Sequence, residues 1–122
     1  MPSYFADTYA LVEYFKGSKI YEKYIEENKI TTSRLNLMEL YYWTLKDHNE
    51  ELAENYFESL VTSIVEFDDA TIKRAMKFRL GNKRKNISYI DAIGYQVAFE
   101  NGVKFLTGDK SFEGLQNVEY VK

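Results

Sequence analysis

Cysteine is absent from the 122-residue chain, so disulfides, thiolate nucleophiles and thiolate-bound metals are excluded. That absence suits a reducing interior, and the cytoplasm is the expected location. Histidine occurs once, at His48. One imidazole cannot build a zinc site of several histidines, and no Cys/His pair exists. His48 itself reads as an exposed residue beside a helix start. No stretch approaches the roughly 18 apolar residues of a membrane span. The opening Met-Pro-Ser-Tyr-Phe lacks the basic start and apolar run of a signal peptide. Internal repeats, low-complexity tracts and domain linkers are lacking as well.

What remains is an ordinary globular composition, 45% apolar and 29% charged, suited to one domain over residues 1–122 with a single core. The formal net charge is −3. Nucleic-acid-binding domains are typically basic, so this balance by itself argues against such a partner. If four of the acids held divalent cations, the remaining charge would be positive. Where the acids sit therefore decides the matter.

Apolar spacing divides the chain into alternating strands and helices. Residues 3–6 are an expected strand, and Asp7-Thr8 opens a helix with Leu11, Val12 and Phe15 on one face. After Gly17-Ser18 a second helix covers residues 19–28, followed by a strand over 29–33, where Thr31 and Thr32 favour extended backbone. A helix over 34–46 carries Leu37, Met38, Tyr41, Tyr42 and Leu45, and Asp47-His48-Asn49 caps the next, with Leu52, Ala53, Tyr56, Phe57 and Leu60 aligned. A third strand is expected over 63–67. Asp68 or Asp69 then caps a helix ending at Gly81. Ser88-x-x-Asp91 opens the last helix, Asn101-Gly102 stops it, and strands over 103–106 and 118–121 close the chain. This alternation predicts an α/β fold of three layers, a mostly parallel sheet of about five strands with helices on both faces.

In such a sheet the carboxyl ends of the strands share one edge, where ligands bind. Asp7 ends the first strand and Asp109 the fourth. Glu39 lies about two turns past the second strand, and Asp91 is in the first turn of the helix before the fourth. Each acid also has a local explanation. Asp7 and Asp109 stand at helix N-cap positions, Asp91 fits a capping box with Ser88, and Glu39 fits one with Asn36. Asp68 and Asp69 show that capping alone can place acids at a strand end. Capping does not account for several carboxylates in one pocket, because their repulsion raises their pKa values unless a cation balances them. Hard oxygen donors without His or Cys favour Mg²⁺ or Mn²⁺ over zinc.

Four fragments carry a family resemblance: Phe-Ala-Asp7-Thr-Tyr-Ala-Leu-Val, Asn-Leu-Met-Glu39-Leu-Tyr, Ser-Tyr-Ile-Asp91-Ala-Ile-Gly-Tyr and Phe-Leu-Thr-Gly-Asp109-Lys-Ser-Phe-Glu-Gly-Leu. Together they span nearly the whole chain, and the sequence resembles a PIN-domain ribonuclease, more narrowly a VapC-type toxin of a type II toxin–antitoxin pair. The resemblance implies that Asp7, Glu39, Asp91 and Asp109 are an acidic quartet binding Mg²⁺ or Mn²⁺. Ser88 and Thr107 resemble the hydroxyl residues that accompany the quartet and position water. Ser111 stands where the family often has a further acid or Asn, which leaves the second metal position open.

No side chain reads as a dedicated nucleophile, so metal-activated hydrolysis of a phosphodiester is the economical mechanism. By resemblance, the products carry 5′-phosphate and 3′-hydroxyl ends, and the substrate is tRNA or another structured RNA. Resemblance also implies a cognate antitoxin lying over the early helices, and a homodimer. Lys83-Arg84-Lys85 leads to Asp91 and reads either as an RNA phosphate contact or as a solvated loop. Three alternatives stay open: a PIN-fold nuclease of RNA processing, a PIN fold kept only for binding, and a phospho-acceptor module of similar fold.

Overall fold

A computed structural model describes residues 2–122. Four strands, β1 (Ser3–Ala6), β2 (Lys29–Thr31), β3 (Lys104–Thr107) and β4 (Val118–Tyr120), form one sheet in the order β2-β1-β3-β4, and every pairing is parallel. Six α-helices connect them: α1 (Thr8–Phe15), α2 (Lys19–Glu27), α3 (Arg34–Asp47), α4 (Glu50–Leu60), α5 (Asp69–Gly81) and α6 (Tyr89–Glu100).

The two-residue period of a strand separates two cores. Phe5 and Phe105 are register partners and stack with centroids 5.9 Å apart, facing Ala75 of α5 and Ala92, Ile93, Tyr95, Val97 and Ala98 of α6. Ala6 and Leu106, one residue further along, face Ala10 and Leu11 of α1, Tyr21 of α2, Leu37 and Leu40 of α3 and Leu60 of α4. The result is the expected three-layer arrangement. Gly94 lets α6 settle onto the sheet, since a Cβ there would stand 2.9 Å from Phe5 Cε1 and 3.2 Å from Phe105 Cε1.

The third of the expected strands, over residues 63–67, is reduced to a single parallel bridge between Thr32 and Ile64. Thr32 N donates to Ser63 O at 3.1 Å, and Val65 N donates to Thr32 O at 2.9 Å. The ladder cannot lengthen because its partner runs out. β2 ends at Thr31 and Ser33 already caps α3. The β-branched run at 64–65 reads as a strand in sequence but finds only one residue to pair with.

Between β3 and β4 the chain returns parallel through residues 108–117 alone, shorter than the usual crossover. A 3₁₀ turn (Lys110–Phe112) and left-handed backbone at Gly114 (φ 85°) and Asn117 (φ 60°) make it possible. For the site, the decisive feature is the sheet order. β1 and β3 are neighbours, so the residues following Ala6 and Thr107 emerge side by side.

Candidate active site

Asp7 leaves β1 and caps α1, accepting from Ala10 N at 2.8 Å. It is only 1% exposed. Its second oxygen accepts from the hydroxyl of Thr107, the last residue of β3. The same hydroxyl oxygen accepts from Asp109 N at 3.0 Å, so one buried threonine ties the two acids of adjacent strands together. Asp109 in turn caps the 3₁₀ turn, accepting from Ser111 N at 2.9 Å. Ser111 thus contributes its main-chain N–H to Asp109.

Asp91 sits in the first turn of α6, where its N–H donates to the Ser88 cap at 3.1 Å. Glu39 occupies the second turn of α3 and accepts from Thr8 Oγ1 at 2.5 Å. The expected capping pair of Glu39 with Asn36 is not formed. Ser33 caps α3 instead, and Asn36, fully buried, turns its amide toward Thr8, donating to Oγ1 at 3.1 Å. Ser33 Oγ donates to Asn36 Oδ1 at 2.6 Å, completing a chain Ser33–Asn36–Thr8–Glu39. Sequence reading missed Thr8 and Asn36. The available signal was Ser33, an N-cap candidate ahead of Asn36, which would have freed the asparagine for a tertiary partner.

All four acids line one cleft of about 630 Å³, with Thr8, Tyr9, Met38, Tyr42 and Ile90 as its other walls. Tyr9 is seated against Gly108, where any Cβ would come within 2.3 Å of the Tyr9 ring and 2.6 Å of the Val121 carbonyl. Lys83, Arg84 and Lys85 form an exposed 3₁₀ turn outside the walls of the cleft, a short way before Ser88. Ser88, Thr107 and Ser111 likewise stand behind or beside the acids rather than on the walls.

The electrostatics follow from burial and crowding. Asp7 is held well above the ordinary carboxylate value, first by burial and further by the charges of Asp91 and Asp109, while Thr107 and the Ala10 N–H act in the opposite sense. Asp91 is raised to about 6 by burial, then by Glu39 and Asp109, with the Ser88 bond opposing. Among the described residues, no Lys, Arg or His lies within ion-pair distance of the four acids. Nor do three or more acidic or imidazole side chains form a ready-made ligand set among them. The donor chemistry nevertheless suits a hard divalent cation: four carboxylates, no imidazole and repulsion with no cationic partner.

The family model for the PIN domain matches residues 4–117. Among curated proteins, none gives a significant match. Several solved structures share the fold. VapBC2 from Rickettsia felis, bound to a DNA fragment from its promoter, superposes with a TM-score of 0.77 at 20% identity, covering 98% of this chain and 99% of that one. A toxin–antitoxin complex from Klebsiella pneumoniae gives 0.76 at 20% identity, covering 94% of each chain. Mycobacterium tuberculosis VapC20, a toxin that cleaves the sarcin–ricin loop, gives 0.76 at 17% identity, covering 98% and 99%. The matched span takes in all four acids of the cleft and the strands that position them, and the chain belongs to the PIN-domain family.

Proposed function

We propose that the chain is a metal-dependent endoribonuclease, the toxin of a toxin–antitoxin pair. The observation that carries this reading is the convergence of Asp7, Glu39, Asp91 and Asp109 from four separate elements into one cleft without a cationic partner. Family membership supports a nuclease, and the fold is shared with VapBC complexes and with a toxin that cleaves the sarcin–ricin loop.

Asp7, Glu39, Asp91 and Asp109 would hold Mg²⁺ or Mn²⁺. Such an ion, when bound, supplies a more acidic water and a polarised phosphodiester. The chain's own groups do the positioning. Thr107 fixes one oxygen of Asp7 and the main chain of Asp109, while the Ala10 N–H holds the other Asp7 oxygen. Thr8, itself anchored by Asn36, fixes Glu39. Ser88 anchors the turn that carries Asp91, and the Ser111 N–H orients Asp109. Lys83, Arg84 and Lys85 would contact phosphates of an RNA strand entering past α6. The partners in this reading are tRNA or another structured RNA, a cognate antitoxin and a second copy of the chain, in the cytoplasm.

Purified protein should cleave RNA with Mg²⁺ or Mn²⁺ and stop in EDTA; cleavage that persists in chelator would overturn the metal mechanism. Growth arrest on expression, relieved by Asp7→Asn, separates a toxin from a PIN nuclease of RNA processing, which would cleave RNA without arresting growth. A phospho-acceptor module would want paired acids at the end of β1, where Asp7 stands alone after Phe5-Ala6.

A further inference from the structure

Outside the cleft, one surface combines an exposed aromatic ring with unpaired positive charge. Tyr89, the first residue of α6, is 63% exposed. The Arg79 guanidinium carbon lies 4.2 Å from the centroid of its ring. That guanidinium is not free to wander, since its Nε donates to the carbonyl of buried Ile87 at 2.8 Å. One face of the ring is therefore backed by a fixed cation and the rest is open to solvent. The exposed turn Lys83–Lys85 precedes Tyr89 in the chain and passes through left-handed Asn86 (φ 59°) into the Ser88 cap of α6. Among the described residues, none of Arg79, Lys83, Arg84 and Lys85 has an acid within ion-pair distance. In a chain of net charge −3, four such cations between Arg79 and Tyr89, one of them against the ring, are a marked local concentration.

We propose that Tyr89, backed by Arg79, is a stacking platform for an unpaired base of an RNA strand whose phosphates are held by Lys83, Arg84 and Lys85. This rests on the nuclease reading and adds what holds the strand where it passes α6. Ile90 and Asp91, the next two residues of α6, already line that cleft. A single strand offers both phosphates and bare base faces, whereas a duplex hides its base faces inside the stack. An acidic peptide would answer the cations but has no planar group to cover the ring. A surface cation–π contact alone is weak and engages only one face of the ring.

The test is anisotropy of a fluorescein-labelled single-stranded 12-nucleotide RNA and of its duplex, titrated with the full chain in EDTA over a range of salt. Base–aromatic stacking of about 1–3 kcal/mol predicts that Tyr89→Ala weakens single-strand binding by about 5- to 150-fold. Tyr89→Phe and Tyr89→Trp should retain affinity, and duplex binding should be the same for Tyr89→Ala as for wild type. Stacking releases no counterions, so Tyr89→Ala should keep the wild-type salt slope. Replacing Lys83, Arg84 and Lys85 together by Ala should flatten that slope by about 0.7 for each phosphate no longer neutralised. Wild-type affinity in Tyr89→Ala, an equal loss in Tyr89→Phe, or an equal loss on the duplex would each overturn the platform and leave the cleft's reading intact. Wild-type protein that binds neither RNA would overturn the platform, while the nuclease reading is decided separately by cleavage with Mg²⁺ or Mn²⁺. A Tyr89→Ala melting curve matching wild type keeps misfolding out of the comparison.

Discussion

Asp7 sits where local and tertiary demands meet. As an N-cap it stabilises α1 best when charged, yet its burial, and then the charges of Asp91 and Asp109, favour the protonated form. Asp7→Asn should keep both hydrogen bonds, with the amide oxygen accepting from Ala10 N and the amide nitrogen donating to a rotated Thr107 hydroxyl. In EDTA at neutral pH this variant should therefore melt above wild type, and with Mg²⁺ or Mn²⁺ its RNA cleavage should fall to background; a lower melting temperature would refute the cost of burying this charge among acids. Asp91 extends the point to pH. Its value of about 6 stands above the ordinary 3.8, so the folded, metal-free protein holds this proton more tightly than the unfolded chain. That contribution is complete below pH 3.8 and is lost as pH rises through about 6. Urea titrations across this window should show wild type losing stability that Asp91→Asn does not lose. Thr107 bridges Asp7 and Asp109. Thr107→Val should cost about 10- to 100-fold in Mn²⁺ affinity, read by calorimetry. It should also cost about 1–3 kcal/mol of stability in EDTA, because buried polar partners lose their bonds.

At the scale of elements, α6 does two jobs at once. Its inner face packs Ala92, Gly94 and Ala98 against the sheet, and its first turn delivers Asp91 to the cleft. Gly94→Ala tests the coupling. The added methyl must push back the Phe5 ring at 2.9 Å and the Phe105 ring at 3.2 Å, both fully buried. An overpacking cost of about 1–3 kcal/mol is expected in urea unfolding, and the displaced helix should also weaken Mn²⁺ binding. Segment 63–67 shows the limit of local pattern. Its β-branched residues are suited to a strand, but strand formation needs a neighbour, and β2 ends before it can serve as one.

The whole molecule places its charge problem in one spot. The four acids are gathered by sheet order and helix connection, with no basic residue among the described ones to balance them, so a divalent cation should stabilise the fold by binding only the folded state. Saturating Mn²⁺ at about 100 times its Kd should add about 2.7 kcal/mol, visible as a rise in melting temperature. Asp109→Asn and Glu39→Gln should both reduce that rise, whereas alanines at Lys83, Arg84 and Lys85 should leave it intact. Equal Mn²⁺ shifts in wild type and both cleft variants would place the ion elsewhere.

The order of strands and helices, the caps at Asp7, Ser88 and Asp68 and the alternation that builds two cores were legible in the sequence, because each rests on contacts within a few residues or on a strict period. The four acids were legible as single carboxylates at strand ends and in helix first or second turns. Their convergence rested on assuming a parallel sheet. Tertiary structure decided what local pattern could not: four strands rather than five, Asn36 turned from a supposed cap to a buried partner of Thr8, and Thr107 as the bridge between two acids far apart in the chain. The physical reason is the same in each case. A cap is satisfied by its own helix, but a ladder, a buried amide and a shared hydroxyl need a partner that only the folded chain brings within reach.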